Sequence, residues 1–518
     1  MASRLPAPLA ALAALPGPCE VLRSALLLAP ALLRSPSAAH RTRPPHHRPV
    51  AALHLELVTL TEDSAVITWY TALPATGEGP LTLLPAVTEG EVVYGTHPAR
   101  LDRTAGEDRP TAHHHVELTG LEPGQTYYYQ ARSEGVAATP TPLHLVRGNA
   151  AGTSHHGPGR HGGPYSFTTP QPPPGRALMT LALCNDLHLG ENTAGLVAGL
   201  PLVRGVSQRP GLPPYPEILG RAVVEEALRR GADLLLAAGD LSAGGAPHDL
   251  ARARDILDGF GTHGRDYLVV RGNHDRARPG TGHGDSFRRA FDGDDGPGHL
   301  SHDMGGLRVI GLDTYRRQDN GAGAGSLGAE QLSWLRHRLR ENPDQPTVVF
   351  GHHPLAVRDS VLPVSPGQRL GRRQARSVLD AYAAAPGVFL HHAGHTHRNK
   401  RTVLPPAPHV VQQEVGATKE YPGGFFLLRI HSGGYALNFY RAPAAHALEW
   451  SERTRRLAGG LWPHHALGRH VADRNSVAAH DLSGITRPVP PATPAGSAQG
   501  MNPAANRRPP PDRPPPRP

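Results

Sequence analysis

The sequence predicts a layered α/β domain over residues 176–445, preceded by an all-β sandwich over residues 51–170. Three observations carry this. Short runs rich in β-branched and aromatic residues, split by turn residues, recur through the first region without a helical period. From residue 176 apolar runs alternate with segments of helical spacing, as layered strands and helices require. Outside both regions proline recurs and no strand or helix period is sustained. The 518 residues include 59 Gly and 55 Pro with only 38% hydrophobic residues, so the ends cannot bury enough apolar surface to build a core.

In chain order, residues 1–50 hold two apolar stretches, "LPAPLAALAALPGP" and "ALLLAPALLRSPSAAH", each interrupted by proline, and then "HRTRPPHHRPV". They read as a disordered or targeting segment and leave compartment open between cytoplasm and secretion. "LHLELVTL", "SAVITWYT", "GEVVYGT", "HHVELTGL", "TYYYQARS" and "PYSFTTP" are the strands of the sandwich, with "RGNAAGTSHHGPGRHGG" (147–163) a flexible insertion before the last one. In the α/β region "ALMTLALCN", "ADLLLAAGD", "DYLVVRGN", "LRVIGLDT", "PTVVFGHH" and "GVFLHHAGH" read as buried strands. Between them "YPEILGRAVVEEALRRG", "LARARDILDGFG", "AEQLSWLRHRLRE" and "QARSVLDAYAAAPG" carry helical spacing. "FFLLRIHSGGYALNFYR" completes a sheet near residue 440, and residues 446–518 form an extension ending in a disordered Pro-rich tail.

Composition removes several function classes. The net charge of +9 comes from scattered arginines with no aromatic-interleaved basic tract, so a solvated basic surface is expected and no specific nucleic-acid partner is inferred. Cys19 and Cys184 are the only cysteines, too few for a disulfide framework. No run of 18 apolar residues exists, so no membrane-spanning helix is expected.

The chemistry lies in what terminates the predicted strands. One run ends in Asp186 and His188, the next in Asp240, the third in Asn273 and His274, the fourth in His352, and the fifth in His395 and His397. The last of these belongs to "LHHAGHTHRN", four histidines in ten residues. With 33 histidines in the chain, roughly two His-x-His pairs arise from composition alone, so that stretch gains meaning only from its companions. Ligands of open α/β sheets bind at the carboxyl ends of strands. A pair at i and i+2 in extended chain points to one side, so Asp186 with His188, and His395 with His397, are each expected to present two donors together. Two Asp, one Asn and four His exceed one tetrahedral site and suit two ions sharing a carboxylate. Mixed N/O donors without thiolate fit transition-metal ions, divalent or trivalent, with Mn, Fe or Zn the leading choices.

D-x-H, GD, GNHD, GHHP and GHTH in this order resemble the calcineurin-like metallophosphoesterase superfamily, over residues 178–440. The resemblance implies a layered β-sandwich flanked by helices and a dinuclear metal-dependent phosphoesterase that cleaves phosphomonoesters or phosphodiesters, nucleotides or cyclic nucleotides among them, by attack of a metal-bridging hydroxide. Asp186, His188, Asp240 and His397 would hold one ion, and Asp240, Asn273, His352 and His395 the other. His352 is chosen in "GHHP" because the family's ligand stands two before the proline. His274 would be the catalytic acid beside the leaving group, and Asn273 and His274 would face substrate; from its place in the same loop Arg276 is a candidate substrate contact, against the alternative of a solvated loop arginine. His391 and His392 are expected inside the strand. "LTGLEPGQTYYYQ" resembles the fibronectin type III corner, with Leu121, Pro123 and Tyr127 forming it, and the sandwich looks like the one preceding the catalytic domain of purple acid phosphatases. Those enzymes place a tyrosine ligand three residues after the bridging Asp; here Ala243 stands there, so no tyrosinate–iron colour is expected. The catalytic half is more similar to cyclic-nucleotide phosphodiesterase-like members, and "VQQEVGATKEYPGGFFLLRI" resembles a bacterial subgroup. The implied partner is a small phosphorylated substrate; a protein partner is left open. The competing class is a non-catalytic binding protein whose sandwich docks a partner or glycan, which the complete donor set argues against.

Overall fold

In a computed structural model of the chain, the described residues are 50–74, 83–141, 153–154, 164–195, 205–276, 285–292, 298–315, 325–360 and 368–486. The expected disordered start and Pro-rich tail lie outside them.

The first region is two antiparallel sheets. Ala51–Leu60, Ala65–Pro74, Leu83–Pro85 and His113–Leu118 form one, and Gly90–Gly95, Arg103–Gly106, Thr126–Ser133 and Tyr165–Thr168 lie in the other. Strict alternation puts every second residue of Thr126–Ser133 inside, among them Tyr127, Tyr129 and Ala131. Tyr127 is fully buried, and its hydroxyl accepts the Glu122 N–H at 2.9 Å, the bond that defines a tyrosine corner. Within the expected flexible insertion, Thr153–Ser154 pairs with Tyr165–Ser166; the rest of that segment is outside the described residues.

The second region packs two six-stranded sheets face to face. Strands Ala177–Cys184, Leu234–Ala238 and Tyr267–Val270 run parallel in one sheet, which continues antiparallel through Gly424–His431 and Gly434–Arg441. Leu307–Leu312, Thr347–Gly351, Val388–Ala393 and Ala407–Glu414 run parallel in the other. Leu181, Leu183, Leu236, Val270, Val348, Phe350 and Phe389 fill the space between the sheets. The alternate residues, Ala182 and Cys184 for instance, face helices Tyr215–Arg229 and Pro247–Asp258. Helices Ala329–Glu341 and Arg372–Ala383 cover the second sheet from outside. All four were legible from their apolar spacing.

The first sheet extends past the expected limit at residue 445. Strand Asn475–Ala479 pairs with Gly434–Arg441, and Leu482 and Ile485 enter the inter-sheet core. These residues lack the length and alternation that mark a strand in sequence, and only the sheet edge they complete defines them. Among the described residues no helix is long and apolar enough to cross a membrane.

Candidate metal centre

The parallel strands of both sheets end at one edge, and the motifs are the loops that leave it. The chain does not deliver the donor pairs from extended backbone as the sequence suggested. Asp186, His188, Asp240, His395 and His397 all have positive φ, between 52° and 66°. For residues with side chains this left-handed region is uncommon, and its recurrence at five donors marks local strain held by the surrounding fold. The i, i+2 pairs therefore converge through tight turns rather than through the pleat. Glycine makes the turns feasible. A Cβ on Gly272 would stand 2.2 Å from both the backbone N and Oδ1 of Asp240, so the loop bearing Asn273 can lie against Asp240 only without a side chain there.

Two clusters result: Asp186, His188 and His397, and Asp240, His352 and His395, each with its donor atoms within 4.8 Å of one another. In the first, His397 Nε2 lies 3.2 Å and His188 Nε2 3.7 Å from Asp186 Oδ1. In the second, His352 Nε2 lies 3.1 Å from Asp240 Oδ2, 3.0 Å from Asn273 Oδ1 and 3.1 Å from His395 Nδ1. Asp240 Oδ2 is also 3.5 Å from His188 Nε2, so one carboxylate oxygen stands between the clusters. Asp186 Oδ1 and His188 Nε2 are buried without a hydrogen-bond partner. Orphaned polar atoms facing each other in a buried, thiolate-free N/O set fit metal ions and little else.

Outer partners orient these donors. His352 Nδ1 donates to the Ala238 carbonyl at 2.9 Å, which presents Nε2 to the centre. His397 Nδ1 lies 2.8 Å from Glu420 Oε1, and His188 Nδ1 3.1 Å from Glu191 Oε2. Burial opposes charge at every one of these groups. Even so, His397 and His188 hold the Asp186 carboxyl well below the usual range, and His352 and His188 do the same for Asp240. Despite burial, His352 beside Asp240 and His397 beside Asp186 are each pushed up to about 9, and His395 is pushed down to about 3 by burial and the charge of His352. Without an ion the carboxylates are thus ionised against protonated histidines, and an ion binding there would displace those protons.

His274 is exposed at the rim. Its backbone N–H donates to Asp240 Oδ1 at 2.7 Å, and its ring sits 4.7 Å from that of His188. Asp275 accepts from Ser242 N and Oγ and from Gly272 N; it fixes the two glycine-bearing loops rather than the His274 ring. Arg276 lies with its guanidinium 4.6 Å above the Tyr315 ring. His391 and His392 are fully buried in their strand, against Tyr382 and Asn185. Sequence reasoning passed over Asn185, Glu191, Lys419 and Glu420. The signal was adjacency to the first motif for Asn185 and Glu191 and, for Lys419, its being one of just two lysines in the chain.

The family model described as calcineurin-like phosphoesterase matches residues 179–399, and that of the purple acid phosphatase N-terminal domain matches residues 50–143. A Synechococcus protein named as a probable cyclic nucleotide phosphodiesterase is 30% identical over 222 residues, 42% of this chain and 74% of that protein. The chain belongs to the calcineurin-like phosphoesterase family. Solved structures similar to this phosphoesterase include a dimetal phosphatase from Danio rerio, at 15% identity and a TM-score of 0.41, covering 51% of this chain and 97% of that one. A purple acid phosphatase from yellow lupin seeds has 14% identity and a TM-score of 0.36, covering 77% and 73%. The phosphoesterase is a metal-dependent hydrolase of phosphoric esters with a dinuclear centre, acting on small phosphorylated substrates.

Proposed function

We propose that this phosphoesterase cleaves phosphodiesters of the cyclic-nucleotide type, with Asp186, His188, Asp240 and His397 around one ion and Asp240, Asn273, His352 and His395 around the other. The observation that carries the ligand assignment is the position of Asp240 Oδ2, 3.5 Å from His188 Nε2 and 3.1 Å from His352 Nε2, which suits a shared carboxylate. The substrate class rests on the 30%-identical relative, which is named for that activity.

When bound, two such ions supply an acidified water as nucleophile and neutralise charge developing on the phosphoryl oxygens. The chain's own residues do the rest. Asp275 and Gly272 hold the loops that carry Asp240 and Asn273 in contact. His274 Nδ1 donates to the Ala243 carbonyl at 3.1 Å, leaving Nε2 to act on the leaving oxygen; it gives up a proton there only from the imidazolium form, which burial disfavours. Asn273 and His274 line the substrate side of the rim, with Arg276 beside them as a phosphate contact. Residues 51–170 and 176 onward act as two domains, the second bearing all the chemistry.

The test is hydrolysis of bis-p-nitrophenyl phosphate, p-nitrophenyl phosphate and a panel of cyclic nucleotides with added Mn²⁺, alongside metal stoichiometry. Diester turnover exceeding monoester turnover is expected. A preference for monoesters overturns the substrate class, and no turnover with metal content near zero overturns the whole reading.

A further inference from the structure

Three consecutive residues reach from the metal centre into the front sandwich. The Lys419 ammonium binds both Glu191 carboxylate oxygens, at 2.7 and 2.6 Å, and Glu191 in turn faces His188 Nδ1 at 3.1 Å. Glu420 accepts from His397 Nδ1 at 2.8 Å. The Tyr421 hydroxyl donates at 2.6 Å to Glu56, a fully buried carboxylate on the first sandwich strand. The backbone is tied to the same place: Lys419 N donates to the Asp186 carbonyl at 3.2 Å, and Thr418 N to that of Asn185 at 3.1 Å. Lys419, Glu420 and Tyr421 are themselves buried.

On the sandwich side Glu56 is clamped by Arg441 at 3.0 Å and Arg455 at 2.8 Å, both from the catalytic region. A charge buried this completely, with three donors on it, is costly to displace, because any shift leaves a buried group unpaired. The Tyr421 ring below those guanidiniums is fixed with it. One rigid anchor thus ends a chain whose other end touches both histidines of the Asp186 cluster.

We propose that Lys419, Glu420 and Tyr421 form a positioning segment through which Glu56 of the sandwich holds His188 and His397 in the orientation that takes a metal ion. The inference rests on the ligand assignment above and extends it by giving the sandwich a part in building one of the two sites. It predicts an asymmetry, because no member of the segment touches His352 or His395. Imidazoles oriented by a carboxylate bind metal more tightly, and loss of such a partner costs on the order of 10–100-fold in affinity.

The experiment is calorimetric titration of the metal-free full chain with Mn²⁺, with bound metal counted by mass spectrometry. Wild type takes up two ions. Glu420→Gln is expected to weaken one uptake event by on the order of tenfold and leave the other unchanged. Tyr421→Phe, or Glu56→Gln if that variant does not fold, is expected to weaken the same event several-fold. Glu62→Gln, which breaks a separate ion pair with Arg429 across the same interface, leaves both events as in wild type. Two wild-type affinities in Glu420→Gln or in Tyr421→Phe overturn the proposal while the two-ion reading stands. An effect of Glu62→Gln equal to that of Tyr421→Phe also overturns it, because general loosening would then explain the loss. A wild-type chain that binds no ion overturns both.

Discussion

Asp240 touches both clusters, so its replacement has the widest effect of any single residue. Asp240→Ala is expected to lower diester turnover by more than the roughly 10–100-fold typical of outer partners and to lower bound metal from two ions toward none, read by mass spectrometry of the purified variant. His391 and His392 make a different prediction. Burial pushes both down to about 3 from an ordinary 6.5, so the folded chain rejects protons that the unfolded chain accepts. Their contribution is complete above pH 6.5 and is lost progressively as pH falls from 6.5 toward 3. At pH 5 each costs about 2 kcal/mol. Denaturant unfolding of His391→Phe at pH 7.5 and pH 5 should show a drop in stability about 2 kcal/mol smaller than that of wild type. An equal drop would mean the His391 imidazole is already protonated in the folded chain.

At the scale of elements, the site is made by strand ends and the glycines that follow them. Gly272 gives the clearest prediction, since its Cβ would collide with Asp240. Gly272→Ala is expected to lose Asn273 as a donor and weaken metal uptake by at least tenfold, roughly the cost of a lost outer partner, with the strands around it unchanged by circular dichroism. Strand and helix positions were legible because periodicity records which face is buried. The positive φ of the donors was not, because sequence spacing alone cannot tell an extended pair from a pair of left-handed turns. Both readings place Asp186 beside His188; only the turns place each near its partners from other strands.

Across the whole molecule, the sandwich and the catalytic region share a polar, buried boundary. Arg230 pairs with Glu117, Arg429 with Glu62, and Arg441 and Arg455 with Glu56, while the buried Arg474 reaches the carbonyls of Leu57 and Val58. Glu56→Ala would leave Arg441 buried without its carboxylate and Arg455 with only Glu452, at 3.7 Å, a loss of about 3–5 kcal/mol by the usual cost of breaking a buried pair. Calorimetry should show one transition for wild type and a lower, broadened or split one for this variant. A single transition at the wild-type temperature would mean the two regions are only loosely docked.

The sequence by itself carried the order of strands and helices and the motifs from which the seven proposed donors are read. Each of these is written locally, in the period of the apolar residues and in motifs that follow predicted strands. What only the tertiary structure decided is which donors meet, and what holds them. Asp240 Oδ2 reaches both clusters because two sheets pack face to face. Glu191, Lys419, Glu420 and Glu56 acquire their roles from residues up to several hundred positions away, and pairing at that distance leaves no local pattern to read.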